Sequence, residues 1–401
     1  MDLKSNVMHN FIVEEVTLNS NIVDKPKPLV RESSVELLRI ICMILIISHH
    51  FINHAGLTFA PDYFGINRFL VQLFDMGGKV GVNIFVLITG YFSISSFKYS
   101  TSKSIRLWLQ AFFYSILIFI IFTATGLETF SWQSLAQNIL IVTTERWWFF
   151  SAYFILLVFS PVLNLLLNKI PRTGYKLFVF TIFIFYSLIP TFIWTNNFFT
   201  ANWSVNSVIW FIFIYSLGGY IKLYGMDFGK KASTYLLLGI GIYALIYASI
   251  IVMDFIGPYN EFVYQHTSYF AELQTIPCLF ASIFIFVGFK NINMKPSKII
   301  NFASGLTFGI YLIHDNKILR EYLWKQWIPT KEILINSPYF VLYGFAAIAT
   351  VFILGAIIET IRKYALERFY MIPINKFCHK VDRAFAYLFR NKSKNPTDSV
   401  S

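Results

Sequence analysis

Hydrophobic and polar positions alternate along this chain on the scale of whole helices, not single residues. Apolar stretches long enough to cross a hydrocarbon core of about 30 Å fall at residues 35–55, 79–97, 106–126, 147–168, 176–195, 205–224, 233–255, 270–290, 299–319 and 339–361. Short polar connections separate them. The pattern predicts an all-α polytopic membrane protein, a bundle of about ten transmembrane helices. Residues 131–142, with Trp132, Leu135 and Ile139 at helical spacing, are too few to cross and are expected at the interface. Residues 1–33 are polar, carry Pro26 and Pro28, and lack the apolar centre and cleavage site of a secretory signal. The expected organisation is therefore a polar cytoplasmic tail over 1–33, a membrane domain over 34–361 and a basic cytoplasmic tail over 362–401.

Composition strengthens this reading. Hydrophobic residues make up 56% of the 401, charged residues 13%, and the mean hydropathy is +0.59. Too little polar surface exists to cover a globule, so lipid must act as solvent for most of the chain. The net charge of +12 does not point to nucleic acid, because the cations fall in short groups between apolar runs. With the amino terminus cytoplasmic, the inner connections hold Lys98, Lys103 and Arg106; Lys169, Arg172 and Lys176; Lys222, Lys230 and Lys231; and Lys290, Lys295 and Lys298. Outer connections at 196–204 and 256–269 hold no Lys or Arg, as the positive-inside rule expects, and both termini come out cytoplasmic. Residues 317–337 break the rule with Lys317, Arg320, Lys325 and Lys331. Either this segment meets an anionic partner or the ninth span is misplaced. Cys42, Cys278 and Cys378 show no ligand or disulfide spacing, and no metal is expected.

Two ionisable side chains stand inside the first apolar run. Arg39 and His50 are eleven residues apart, which on a helix returns the chain to within about 20° of the same face and advances it about 16 Å. Glu36 can pair with Arg39, and His54 falls on nearly the same face as His50. Ionisable groups within a span usually face a bundle interior or a wet cavity and mark function. His49 points about 100° away from His50, so spacing favours His50 over its neighbour. Span nine, also running outward, brings His314 and Asp315 to a similar depth. Span two, antiparallel to both, offers Asn83 and Thr89-Gly90-Tyr91.

These residues carry a resemblance. Arg39, ten residues, then His50 is similar to the opening motif of the acyltransferase-3 family of bacterial membrane O-acyltransferases. Phe85-Val86-Leu87-Ile88-Thr89-Gly90-Tyr91 resembles that family's second-helix motif, with Thr89 where Ser is commoner. Trp148 to Tyr153 with Ser160-Pro161 and Asn164 resembles the fourth-helix signature, and Phe308 to His314 the ninth. The likeness spans about residues 33 to 361. It implies transfer of an acyl group, most often acetyl from acetyl-CoA, to a hydroxyl of a cell-surface or exported glycan, free or lipid-linked, by a multi-pass protein of the bacterial plasma membrane.

The chemistry can be argued from the residues themselves. A sugar hydroxyl is a weak nucleophile until a base takes its proton, and an imidazole with an ordinary pKa of about 6.5 suits that task. His50 is the candidate base, with His314 as a possible second catalytic imidazole. Arg39 is expected to bind a phosphate or orient the pantetheine arm of acyl-CoA, because a guanidinium donates as a fork. Thr89, Asn83 or a tyrosine such as Tyr91 are the candidate oxyanion or cofactor-binding donors. Plainer readings stand beside these. His54 can be interfacial, His314 can bond a neighbour, and Thr89 can bond its own helix. Gly218, Gly219, Gly305 and Gly309 suit helix packing. Glu145-Arg146 reads as a surface pair that could touch a glycan. A transporter or flippase for lipid-linked glycans is the competing function, though no pair of matching halves is evident.

Overall fold

The computed structural model describes residues 32–57, 59–60, 62–96, 101–193, 208–226, 229–328, 330 and 337–390. Among them every regular element is helical. Eight helices are long and apolar enough to cross a membrane. The expected tail over 1–33 lies almost wholly outside the described residues.

Helix α1 (Ser33–Ala55) ends where Gly56 takes the left-handed conformation, φ 64°, that stops a helix without a Cβ clash. Helix α2 (Ile66–Ser93) begins thirteen residues before the expected apolar span. Hydropathy misses its first turns because Asn67, Arg68, Gln72, Asp75 and Lys79 interrupt the apolar run. The helix buries Arg68 against Asp254, Nη2 to Oδ1 2.7 Å, so that charge is paired inside the bundle. Then follow α3 (Thr101–Ala124), the short α4 (Trp132–Ile139), α5 (Trp148–Lys169) and α6 (Arg172–Phe192). After α6 come α7 (Val208–Tyr224), α8 (Ala232–Ile256), α9 (Glu261–Gln265) and α10 (Ile276–Lys290).

The ninth expected span is not one helix. It is α11 (Lys298–Ser304) and α12 (Thr307–His314), separated at Gly305–Leu306 and ended at Asp315. Broken helices persist at membrane depth only where they line a cavity or are enclosed by protein. Here Thr307 Oγ1 donates to the Ser304 carbonyl at 2.8 Å, and Ser304 donates to buried Glu36, so the loosened turn keeps its polar groups paired. Helix α13 (Leu319–Tyr322) continues into a π-helical turn, and α14 (Phe340–Ile361) forms the last expected span. Beyond it, the segment expected as a plain tail folds as α15 (Glu367–Arg390). This helix docks on the start of α3, where Asp382 accepts from the Thr101 backbone and hydroxyl at 3.1 and 2.5 Å.

The core gathers on α1, α2 and α7. Gly90 and Gly218 let α2 and α7 touch backbone to backbone: a Cβ on Gly90 would lie 2.0 Å from the Tyr215 carbonyl oxygen, and one on Gly218 2.2 Å from that of Leu87. Outward faces of α8 and α14, with Leu237, Ile240, Leu245, Leu342 and Phe345 exposed, are apolar, as lipid contact requires.

Candidate active site

A cavity of about 270 Å³ opens between α1, α2, α5 and α12. Arg39, Met43, Ile46 and His50 line it from α1, at spacings of four, three and four that keep one helix face. Val82, Phe85 and Thr89 line it from α2 in the same manner, Trp148, Phe149 and Tyr153 from α5, and Ser304, Thr307, Phe308 and Tyr311 from the broken helix pair. The arginine and histidine singled out by spacing therefore share one cavity.

Arg39 keeps its side chain 28% exposed while Nη1 donates to both oxygens of buried Glu36, at 2.8 and 3.0 Å. Glu36 fixes the fork in place and leaves Nε and Nη2 for an incoming acceptor.

His50 is held by a directional hydrogen bond. His314 Nδ1 lies 2.6 Å from the Ile310 carbonyl oxygen, which can only accept, so Nδ1 carries the His314 proton. In the neutral ring Nε2 is then an acceptor, and it lies 3.0 Å from His50 Nδ1. His50 must donate there, which leaves its Nε2 lone pair as the free base. Asp315 supports the group from behind. Its Oδ1 is 3.3 Å from His54 Nε2, 3.4 Å from Arg320 Nη1 and 3.9 Å from His50 Nδ1. His50, His54 and Asp315 each offer one ligand atom within 4.8 Å of the others, so this trio could also hold a metal ion. Sequence puts Asp315 at a similar depth to these histidines but not against them, since it lies 261 residues from His54.

Thr89 reaches the cavity, but its one hydroxyl proton goes to the Phe85 carbonyl at 2.9 Å. Tyr153, 3.0 Å from Thr89 Oγ1, is then the donor of that pair. To serve an oxyanion, Thr89 has to rotate away from its own helix. Tyr311 is a further cavity residue without an assigned role in the sequence reading. Its buried hydroxyl has no hydrogen-bond partner of good geometry among the described residues, while its ring packs 5.5 Å from Phe149 and 6.5 Å from His50. The signal for it lay inside the Phe308-to-His314 motif, where it sits one turn before the histidine.

Two candidates lie elsewhere. Asn83 is not among the cavity-lining residues: its amide donates to the Leu273 carbonyl at 2.8 Å and accepts from Trp210 Nε1 at 3.0 Å. Tyr91 is also outside, its ring beneath Lys222 at 4.8 Å and Lys290 at 5.7 Å. Helix phase is the reason. Positions 82, 85 and 89 share a stripe, whereas 83 and 91 fall about 100° from Val82 and about 200° from Thr89, respectively. His49 faces α2, where Nδ1 lies 2.8 Å from the Asp75 carbonyl oxygen.

The fold is that of an integral-membrane protein, with a forked cation and an oriented imidazole lining one cavity between its helices. The chain belongs to the acyltransferase-3 family, whose model, described as an acyltransferase domain, matches residues 32–356. It is thus a multi-pass membrane acyltransferase. No curated protein and no solved structure gives a match.

Proposed function

We propose that this acyltransferase moves an acetyl group from acetyl-CoA to a hydroxyl of a cell-surface or exported glycan, free or lipid-linked, in a bacterial plasma membrane. The observation that carries the reading is the shared cavity of Arg39 and His50, with the His50 Nδ1 proton turned to His314 and Nε2 left basic. Ligand sites commonly occupy about 300–1,000 Å³, so a cavity of this size suits the acyl-pantetheine end of the donor more than the whole of it. Arg39 takes a phosphate or the pantetheine arm through its uncommitted nitrogens.

In the transfer, the acceptor hydroxyl proton passes to His50 Nε2 as its oxygen bonds to the thioester carbonyl carbon. The resulting oxyanion draws on hydroxyl donors of the cavity, Tyr311 and a rotated Thr89. Collapse breaks the carbon–sulfur bond, and the departing sulfur recovers the proton from His50. Between those events the ring is an imidazolium, which the Asp315 carboxylate favours electrostatically.

The test is transfer of labelled acetyl from acetyl-CoA to envelope glycan by the purified full chain. His50→Ala should lower the rate by about 10²–10⁴-fold while the protein still inserts and still binds acetyl-CoA. A well-folded variant with wild-type turnover would remove His50 from the chemistry.

A further inference from the structure

Past the His50 end of the cavity, where Asp315 stands between His50 and Arg320, lie cations that donor binding does not use. Arg146 is 7% exposed, and its Nε and Nη2 meet no acceptor among the described residues. A guanidinium withdrawn from water is costly unless other acceptors replace the water, and buried polar groups left unpaired call for an explanation. Arg146 sits immediately before the turn of α5 that carries Trp148 and Phe149 into the cavity. Opposite, the chain leaving α12 supplies Lys317, which is exposed, and Arg320. Arg320 Nη1 rests 3.4 Å from Asp315, while its Nε is buried and 4.0 Å from Glu321 Oε1, too far for a hydrogen bond.

The three cations feel one another. Burial first, and then Arg320, weaken the hold of Arg146 on its proton, opposed by Glu128. Of the carboxylates nearby, Asp315 is shared by His54 and Arg320, and neither Glu128 nor exposed Glu145 forms an ion pair with Arg146 among the described residues. Like charges gathered around an unpaired buried fork are stabilised by an anion from outside the chain. That anion is not the donor's phosphate at Arg39. Fifteen helical residues from Arg39 to His54 span about 22 Å, and the cluster lies beyond the reacting end. Nor does a lipid headgroup suit it, because Arg146 is enclosed by protein.

We propose that Arg146, Lys317 and Arg320 form an acceptor-side subsite for an anionic sugar, binding the carboxylate or phosphate of the saccharide whose hydroxyl reaches His50. This rests on the acyl-transfer reading and adds a class of acceptor to it. Forked pairing of Arg146 with two anionic oxygens would also orient the neighbouring ring toward Nε2.

The test uses the full chain in phosphatidylcholine nanodiscs and three water-soluble oligosaccharides of equal length: a hexuronate, a phosphorylated glucan and a neutral glucan. Tryptophan fluorescence reports binding, since Trp147 and Trp324 are buried nearby. One of the charged probes should bind about tenfold or more tightly than the neutral one, and which one does identifies carboxylate or phosphate. Arg146→Gln should erase that preference and leave acetyl-CoA affinity unchanged, which also certifies the variant as folded. Lys317→Gln, at an exposed position, should weaken the preference severalfold without touching the fold. Equal affinity for charged and neutral probes overturns the inference, as does a loss of acetyl-CoA affinity in Arg146→Gln, or charge preference that appears only when phosphatidylglycerol replaces part of the disc lipid. If acetyl-CoA fails to bind the wild-type chain while the charged probe binds through Arg146, the donor reading fails and the subsite stands.

Discussion

Arg39 and His50 were legible as a pair because a helix has a fixed period, and two polar residues eleven apart in an apolar run must share a face. What that period could not supply is phase between helices. Asn83 and Tyr91 have suitable chemistry on the right helix but the wrong stripe, and only packing against α7 and α10 reveals it. The Thr89 hydroxyl was readable either as a donor to substrate or as a bond to its own helix, and in the resting site it makes the second. The role of Arg39 is testable by geometry rather than charge. Arg39→Lys keeps the cation but loses the fork, and Glu36 then competes with the donor for a single ammonium. KM for acetyl-CoA should rise by about tenfold with a smaller change in kcat, measured by initial rates over a range of donor concentration.

At the scale of elements, the positions of the spans followed from hydropathy, and their exceptions mark where polar groups are used. The early start of α2 was hidden by Arg68 and its neighbours, whose partner Asp254 lies 186 residues away. The break at Gly305–Leu306 was hidden because Ser304 and Thr307 are unremarkable in an apolar run until Glu36 and the cavity stand beside them. Glycines were better signals. The Gly90 of the second-helix motif permits the crossing with α7, where any Cβ meets carbonyl oxygen instead of a movable side chain. Gly90→Ala should therefore destabilise the bundle by about 1–3 kcal/mol or more through forced separation of the helices. Gly241, on α8, has nothing within 4 Å of its Cβ position, so Gly241→Ala should be neutral or stabilising by up to about 1 kcal/mol. Thermal unfolding of both variants in one detergent makes the comparison; equal losses would refute the close-crossing argument.

Across the whole molecule, one buried ionic group joins elements far apart in sequence. Arg362 donates to Glu359 at 2.7 and 2.8 Å and to Glu367 at 2.9 Å; Tyr114 and Gln110 of α3 donate to Glu359 at 2.7 and 3.0 Å. Gly309 of α12 makes room for that carboxylate, since a Cβ there would fall 2.3 Å from it. Helices α3, α12, α14 and α15 are thereby tied at one end of the bundle. From sequence, Arg362 opened a basic tail just past the last span, because nothing local announces that α15 folds back to cover it and Glu359. Removing one partner strands the other, so Arg362→Ala should cost about 3–5 kcal/mol of stability. Replacing Glu359 and Arg362 together by apolar residues should recover much of the loss, and a double variant no better than the single would show that the pair does more than satisfy itself.

The bond from His314 to the Ile310 carbonyl has a consequence for bookkeeping of hydrogen ions. A backbone carbonyl can hold a proton in a bond but cannot take it over, so the two-ring chain ends at Ile310 and opens at His50, in the cavity. Whatever hydrogen ion enters with one substrate has to leave with another. Turnover should then be indifferent to a pH gradient across sealed vesicles, and abolishing that gradient with an uncoupler at constant bulk pH should leave the initial rate unchanged.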